Sequence, residues 1–321
     1  MKLSTRTRWL LSAAALAAAG VSIGLFFAVD EGESPIVEGR LARNPYPKDS
    51  IWRMPVPSEA DVDSRNDERM AYWLEHNVFN PNMPLRGFGV AVVVARPDDP
   101  VYDVEVTEYQ GNLGQFGGIP IPDGTKPAAS SDGHLAVYDP EREIEWNMWQ
   151  AECCWSASAG QAQSTAEGDG VSPEGTVGAN AANFPMLGGL ILADELRRGR
   201  IDHALHFSMP DVGEGYVCPA THDDGDETNP LALREGARMQ LDPSVDVDAL
   251  PLPRWQKTIA RALQEYGMFL RDGGGTLTIA AENTVNRTPD PWTPLFGAEA
   301  ETVRFSPGFP WERMRILEPA C

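Results

Sequence analysis

Residues 132–150 constrain the fold of this chain more than any other stretch. Polar and apolar side chains alternate with a period of two on both sides of an Asp-Pro turn at residues 139–142. Alternation of this kind predicts two antiparallel strands joined as a hairpin. If the four-residue turn sets the register, Tyr138 lies opposite Glu143 and the pairing continues outward from there.

Successive side chains of a strand point to opposite faces, so the predicted hairpin has one apolar and one polar face. The apolar face carries Leu135, Val137, Ile144, Trp146 and Met148. The polar face carries Asp132, His134, Tyr138, Glu143, Glu145, Asn147 and Trp149. A solvated outer face of an antiparallel sheet is the commoner explanation for such polarity. Carboxylates, an imidazole, an amide and aromatic rings side by side are also what a sugar-binding or hydrolytic cleft needs.

The pattern of the remaining chain predicts a mostly β fold. Short strands, frequent turns and two or three isolated helices are typical of an antiparallel β-sandwich or a jelly-roll-like single domain. Helices are predicted at residues 64–77, 194–198 and 253–267, from apolar residues at helical spacing or from capping residues. A second hairpin is predicted at residues 268–280, around a turn rich in glycine.

The N-terminus carries an export signal. Basic residues precede an apolar run that extends to residue 29, which predicts a signal peptide or an N-terminal membrane anchor for residues 1–29. Residues 30–57 are interpreted as a linker and strap, and residues 58–321 as an extracytoplasmic β-rich domain. Whether or not the segment is cleaved, the folded part is expected to be secreted or anchored to the outer side of the cytoplasmic membrane.

Export also decides how the four cysteines are interpreted. Compartments outside the cytoplasm are oxidising, which favours disulfides over a reduced zinc site. Adjacent Cys153 and Cys154 point to opposite sides of an extended backbone, so separate partners are favoured for them, namely Cys218 and Cys321. A vicinal bridge between Cys153 and Cys154 is the alternative.

The formal charge of −21 limits the classes of partner. Nucleic acids and anionic membrane surfaces bind basic patches, so neither is expected as a partner of the folded part. A neutral polysaccharide or a cell-wall polymer fits the charge better than a strongly anionic glycan. Only the N-terminal segment is expected to contact a membrane.

Several segments together resemble a family of exported bacterial β-rich proteins to which no activity is attached. They are residues 120–124, Ser131-Asp132-Gly133-His134, Tyr138-Asp139-Pro140, 145–150, 199–205, Pro219-Ala220-Thr221-His222 and 260–273. The resemblance covers roughly residues 45–317. Proteins similar to these occur beside carbohydrate-active domains, so the resemblance implies a glycan context. Where the family pattern has Trp-Ser-Ala alone, this chain adds the Cys153-Cys154 pair.

Two hypotheses follow for the polar face of the hairpin. The first is a glycan-cleaving enzyme, either a glycoside hydrolase with Asp132 and Glu145 as its two carboxylates or a polysaccharide lyase with His134 as base. Tyr138, Asn147 and Trp149 would then bind the substrate, with Trp149 stacking on a sugar ring. The second hypothesis is a non-catalytic module at the cell surface, in which the same side chains form only a binding platform for a glycan or the cell wall.

A metal-dependent hydrolase is a further alternative. Its ligands would come from Asp202, His203 and His222, together with Asp132 and His134. A strand at residues 201–207 would place His203 on its apolar face, where a buried, hydrogen-bonded structural histidine is the favoured interpretation.

Calcium is the metal that the sequence most readily suggests. Residues 222–227 are a turn rich in carboxylates, although they lack the spacing of the helix–loop–helix calcium motif. An acidic surface loop explains the same residues, so the sequence predicts no cofactor, with calcium as the alternative.

Overall fold

Strands dominate the computed structural model, which describes residues 34–110, 116–152 and 155–319. Strands account for 29% and helices for 14%, so the prediction of a mostly β fold is confirmed. From Pro35 onward the chain forms one compact unit, which therefore includes residues 35–57 of the predicted linker and strap.

The strands and helices below are numbered in chain order. The strands are β1 (Ile36–Val37), β2 (Arg40–Leu41), β3 (Asn82–Pro84), β4 (Val90–Val94), β5 (Val101–Tyr102), β6 (Glu105–Gln110), β7 (Ile119–Pro120), β8 (Leu135–Asp139), β9 (Ile144–Trp149), β10 (Ser156–Ser164), β11 (Leu205–Met209), β12 (Val212–Tyr216), β13 (Leu233–Glu235), β14 (Arg238–Leu241), β15 (Met268–Gly273), β16 (Thr278–Ile279), β17 (Glu282–Asn283), β18 (Thr302–Arg304) and β19 (Met314–Ile316). The α-helices are α1 (Asn66–His76), α2 (Ala193–Arg198), α3 (Arg254–Glu265) and α4 (Thr293–Phe296), and short 3-10 helices lie at Met186–Gly188 and Trp311–Arg313.

Two large sheets contain most of the strands. The first sheet has the order β17-β4-β8-β9-β10-β6, and the second has the order β18-β3-β16-β11-β15-β14-β19. Both sheets are mixed. In the first sheet β4 is parallel to β8 and β8 is antiparallel to β9, and in the second sheet β11 is parallel to β15 and antiparallel to β16. Two parallel strands need a long connection between them. Turn signals in the sequence do not show which distant strands become neighbours in this way. The strand directions therefore differ from the purely antiparallel arrangement that was predicted.

A single cluster of buried side chains takes residues from one face of each sheet, and we call it the inner layer. It consists of Leu41, Tyr46, Trp52, Val90, Val92, Val94, Ala136, Tyr138, Ala179, Ala182, Phe184, Met186, Leu187, Leu190, Leu192, Ala204, Ala220, Tyr266, Phe269 and Ala280. A second cluster covers the other face of the first sheet, and a third, which includes residues of α1 and α3, covers the other face of the second sheet. The consecutive valines of β4 follow from this arrangement, because a strand buried on both faces needs apolar residues at every position.

The predicted hairpin is present as β8 and β9, but its register differs by two residues. Tyr138 pairs with Glu145 rather than with Glu143. The loop is residues 140–143, because Asp139 stays in the ladder while its carboxylate accepts two N–H groups from the loop, at 2.9 and 3.1 Å. An even shift leaves every side chain on its predicted face, whereas a one-residue slip would exchange the faces.

Both faces of this hairpin are buried, which excludes the solvated outer face as its explanation. Leu135, Val137, Trp146 and Met148 belong to the cluster that covers the outer face of the first sheet. Glu145 and Asn147, on the polar face, are 0% exposed and lie on the side of the inner layer. The polar residues of the hairpin therefore face the interior of the protein.

The second predicted hairpin is wrong. β15 and β16 do not pair with each other, because β11 lies between them, parallel to β15 and antiparallel to β16. A glycine-rich turn indicates a change of direction, but it cannot show that a distant strand inserts between the two arms. This insertion places the end of β15 beside residues that are distant in sequence.

The three predicted helices are confirmed. α1, α2 and α3 lie within or one residue beyond the predicted ranges. Gly199 ends α2 in the left-handed conformation, with φ of 83°, and its N–H donates to the carbonyl of Glu195. Glycine is favoured there because a side chain would strain this backbone conformation.

Among the described residues, no helix combines the length and the apolar character needed to cross a membrane. The predicted signal peptide or anchor at residues 1–29 lies outside the described residues, as do Cys153, Cys154 and Cys321. Cys218 is the one candidate cysteine within them. The N-terminal segment and the disulfide pairing therefore stay predictions.

Candidate active site

A cavity of about 410 Å³ lies where five segments of the chain meet, one of which is β6 with Tyr109. The others are the end of the β8–β9 hairpin opposite its turn, the loop at residues 177–181, the acidic turn that follows residue 221, and the end of β15. The cavity is lined by Tyr109, Asp132, His134, Trp149, Val177, Gly178, Ala179, Asn180, Ala181, His222, Asp224, Asp272 and Gly273. Its volume lies in the usual range for small-molecule sites.

Three of the six residues predicted to act or bind on the hairpin line this cavity. They are Asp132, His134 and Trp149. The other three, Tyr138, Glu145 and Asn147, are buried elsewhere in the first sheet, nearer the hairpin turn. The predicted polar face is therefore divided between a cavity and a closed interior.

His134 is a buried histidine in the lining of the cavity. The residue is 5% exposed, and its Nε2 atom has no hydrogen-bond partner among the described residues. Burial, with the nearby positive charge of Arg271, lowers the pKa of His134 to about 3, although the ring donates a hydrogen bond to the backbone of Ala179. The imidazole is therefore neutral at physiological pH, and Nε2 can accept a proton or a hydrogen bond.

Among the carboxyl groups that line the cavity, Asp272 has a clearly raised pKa. Burial raises the pKa of Asp272 to about 7, the negative charges of Asp224 and Asp132 add to this rise, and Arg271 opposes it. A carboxyl group with this pKa holds a proton in a large fraction of molecules at neutral pH. Carboxylic acids of this kind act as general acids in enzymes.

Arg271 precedes Asp272 and lies on the inner side of β15. The residue is 7% exposed, and its charge interacts with Asp272 and Asp132. Its Nε and Nη1 atoms have no hydrogen-bond partner within the described part of the chain. Arg271 therefore supplies positive charge behind the acidic wall without lining the cavity.

Glu235 is a further buried carboxyl group, which lies next to the cavity wall but does not line the cavity. Its side chain is 0% exposed and adjoins Asp224, which lines the cavity. Burial raises the pKa of Glu235 to about 9, and the negative charges of Asp224 and Asp272 contribute to the rise. Glu235 is therefore protonated at neutral pH.

An aromatic pair forms another part of the lining. The ring centroids of Tyr109 and Trp149 are 6.3 Å apart, and the rings are inclined at 46°. Tyr109 is 45% exposed, so this pair meets solvent. Trp149 is partly buried and packs against the inner layer. Aromatic faces beside carboxylates are suited to stacking on a sugar ring or to contact with a cation.

Glu145 has a different position from the one its predicted catalytic role requires. One oxygen accepts a hydrogen bond from the N–H of Leu187 at 2.9 Å, and the other accepts one from the hydroxyl of Tyr46 at 3.0 Å. Burial raises the pKa of Glu145 to about 7 despite these donors. Its partners come from segments that pack between the sheets, so Glu145 holds those segments on the hairpin. The pairing of Asp132 with Glu145 as two carboxylates across a substrate is not supported by this geometry.

The alternative metal ligands lie in three separate environments. Asp202 pairs with Arg53 at 2.9 Å, and Nε2 of His203 contacts Glu195 at 3.1 Å. His203 is 0% exposed, which agrees with the prediction of a buried, hydrogen-bonded histidine. His222 lines the cavity with Asp132 and His134, and its Nδ1 contacts the carbonyl of Ala181 at 3.0 Å. The described ranges contain no group of three or more His, Cys, Asp or Glu residues arranged to hold a metal ion.

The acidic turn proposed for calcium has local backbone partners instead. Asp223 accepts the N–H of Gly215 at 2.9 Å, and Glu227 accepts the N–H of Asn229 at 2.7 Å. Asp224, in contrast, faces the cavity. The turn thus contributes one carboxylate to the site.

Sequence reasoning missed Asp224, Asp272 and Arg271 as site residues. Asp224 was considered only as part of a calcium turn, and Asp272 only as part of a hairpin turn. A charged Arg-Asp pair directly after the apolar residues Met268, Phe269 and Leu270 was the available signal. Charged side chains at the end of a buried strand are expected to have a structural or chemical role, because their burial is costly without a partner.

The comparisons with known proteins add no assignment, since no protein-family model, curated protein or solved structure matches the chain.

The raised pKa of Glu235 leads to a prediction about stability. A carboxyl whose pKa is higher in the folded than in the unfolded state stabilises the fold at low pH, and this contribution is lost as the pH rises through the folded pKa, here about 9. We expect chemical denaturation to show that the free energy of unfolding falls between about pH 7 and pH 9, and that Glu235→Gln flattens this fall. Glu299→Gln, on the exposed surface, is the matched control. An unchanged slope in Glu235→Gln would contradict the assignment.

Proposed function

We propose that this protein is an exported enzyme that cleaves a glycan and that the cavity is its active site. The observation that carries this proposal is the arrangement of Asp132, Asp224 and Asp272 around one cavity with a neutral histidine and an aromatic pair. The export signal predicted at residues 1–29 supports an extracytoplasmic location, where polysaccharides are accessible. Glycoside hydrolysis needs one protonated and one ionised carboxyl group, and this cavity contains groups suited to both roles.

In the proposed reaction, Asp272 donates its proton to the glycosidic oxygen as the bond to the anomeric carbon breaks. Asp132 is the second carboxylate, which either removes a proton from the attacking water or attacks the anomeric carbon itself. Water supplies the hydroxyl group of the new reducing end. If Asp132 acts as the base, it takes the proton of this water, and proton exchange with solvent restores both carboxyl groups; if Asp132 attacks the anomeric carbon, water hydrolyses the glycosyl-enzyme and gives its proton to Asp272. His134 accepts a hydrogen bond from a substrate hydroxyl at Nε2.

The aromatic pair gives the substrate its orientation. Trp149 stacks on a sugar ring beside the acidic wall, and Tyr109 extends this platform toward solvent. Asn180 lines the same cavity, although its amide donates to the carbonyl of Phe184 at 2.6 Å and its side-chain oxygen accepts the N–H of that residue. Asn180 therefore positions the loop rather than the substrate.

A depolymerisation screen over cell-wall and plant polysaccharides tests the proposal. We expect the wild-type protein to release reducing ends from at least one polymer and Asp132→Asn to lose this activity. Asp98→Asn removes an exposed carboxylate outside the cavity lining, and we expect it to keep full activity. Binding without any cleavage would instead identify a glycan-binding module. An unsaturated, ultraviolet-absorbing product would identify a lyase that uses His134 as its base.

A further inference from the structure

The lining of the cavity is strongly asymmetric in charge. Asp132, Asp224 and Asp272 contribute carboxyl groups, whereas none of the described lining residues is lysine or arginine. Arg271 is the cation that interacts with Asp132 and Asp272, and it lies behind the wall. His134 is neutral, and the protonated Glu235 adds no charge. The site therefore keeps an excess of negative charge.

A proton on Asp272 already neutralises part of this excess negative charge. The charges of Asp224 and Asp132 contribute to the raised pKa of Asp272, because three carboxylates near one arginine repel one another. A bound cation would relieve the same repulsion. The cavity is thus electrostatically complementary to a positively charged group of a ligand.

Two further features of the lining favour an organic cation attached to a sugar. The pair of Tyr109 and Trp149 offers aromatic faces, which attract ammonium groups as well as sugar rings. His134 is 5% exposed, and its Nε2 atom has no partner among the described residues, so it can accept a hydrogen bond from an N–H or O–H group in the cavity. A bare metal ion would leave the aromatic faces unused.

We propose that the cavity recognises a glycan that contains free amino sugars, with the ammonium group held by Asp224 on the acidic wall and the sugar ring on Trp149. This inference rests on the proposed function for its glycan component and deepens it by naming the substrate class. The formal charge of −21 acts in the same direction, since an acidic protein attracts a cationic polymer over a longer range.

Calorimetric titration of the full chain separates the inference from the proposed function. The probes are two glucosamine oligosaccharides of equal length, one fully deacetylated and one fully N-acetylated. We expect the deacetylated oligosaccharide to bind at least about tenfold more tightly, with an advantage that decreases as salt is added. We expect Asp224→Asn to reduce this preference several-fold, and Asp98→Asn, which removes a carboxylate outside the cavity, to leave it unchanged.

Each outcome of this experiment is decisive. Equal or tighter binding of the N-acetylated oligosaccharide, or no binding of either, would overturn the inference even if the protein cleaves a neutral glycan. A preference that Asp98→Asn reduces as much as Asp224→Asn would also overturn it, because attraction by the overall charge would then explain the result. A cavity-dependent preference without cleavage of any polymer would support the inference and refute the enzymatic function.

Discussion

Asp272→Asn should lower the rate of glycan cleavage by about 10²- to 10⁴-fold, the usual contribution of general acid catalysis. An amide has nearly the same shape as the carboxylic acid but cannot donate an acidic proton to a leaving oxygen. The pKa of Asp272 is about 7, so the wild-type rate should fall as the pH rises through that value and the proton is lost. The measurement is the pH profile of kcat for both proteins on a polymer identified in the screen.

Two comparisons make this result specific. Asp98→Asn serves as the control for the loss of one carboxylate, and we expect its pH profile to match that of the wild type. Thermal unfolding of Asp272→Asn should show that the fold is retained, because the substitution removes electrostatic repulsion from the cavity wall. A rate reduction of less than about tenfold would exclude Asp272 as the general acid.

Trp52→Ala should destabilise the protein strongly and lower the free energy of unfolding by about 3–5 kcal/mol. The indole of Trp52 is 0% exposed and contacts Phe184, His206 and Phe269, with ring centroids 5.0 to 5.4 Å away. Its N–H donates to the carbonyl of Asp169 at 2.6 Å. Alanine would leave a cavity among residues that come from distant parts of the chain, and the packing cannot fully close around it.

Urea denaturation provides the measurement for Trp52→Ala. Met54→Ala is the matched control, because Met54 is two residues away and 44% exposed, and we expect it to change the free energy of unfolding very little. A loss below about 1 kcal/mol in Trp52→Ala would mean that the inner layer does not depend on this residue.

The hairpin shows which properties could be predicted from the sequence alone. Alternation with a period of two assigned Asp132, His134 and Trp149 to one face, and that assignment survived the two-residue difference in register. The position of each residue along the face was not predictable from the turn, because the carboxylate of Asp139 stabilises a loop that begins one residue later. Glu145 was therefore assigned to the wrong neighbourhood.

The rest of the site could not be derived because it depends on contacts between distant segments. Asp224 and Asp272 lie near Asp132 although all three are far apart in sequence, and neither turn contains a signal for that proximity. Alternation also could not show that the polar face of the hairpin turns inward. Polar residues are usually exposed, and they are buried only where other parts of the chain supply hydrogen-bond partners. Tyr46 and the N–H of Leu187, which accommodate Glu145, are far from it in sequence.

The edges of the second sheet have a consequence for how this chain reaches its native state. β19 completes that sheet beside β14, and Val62 forms an isolated bridge with Leu317. One edge of β14 therefore stays unpaired until residues 314–316 have been synthesised, and an unpaired strand edge can pair with another chain.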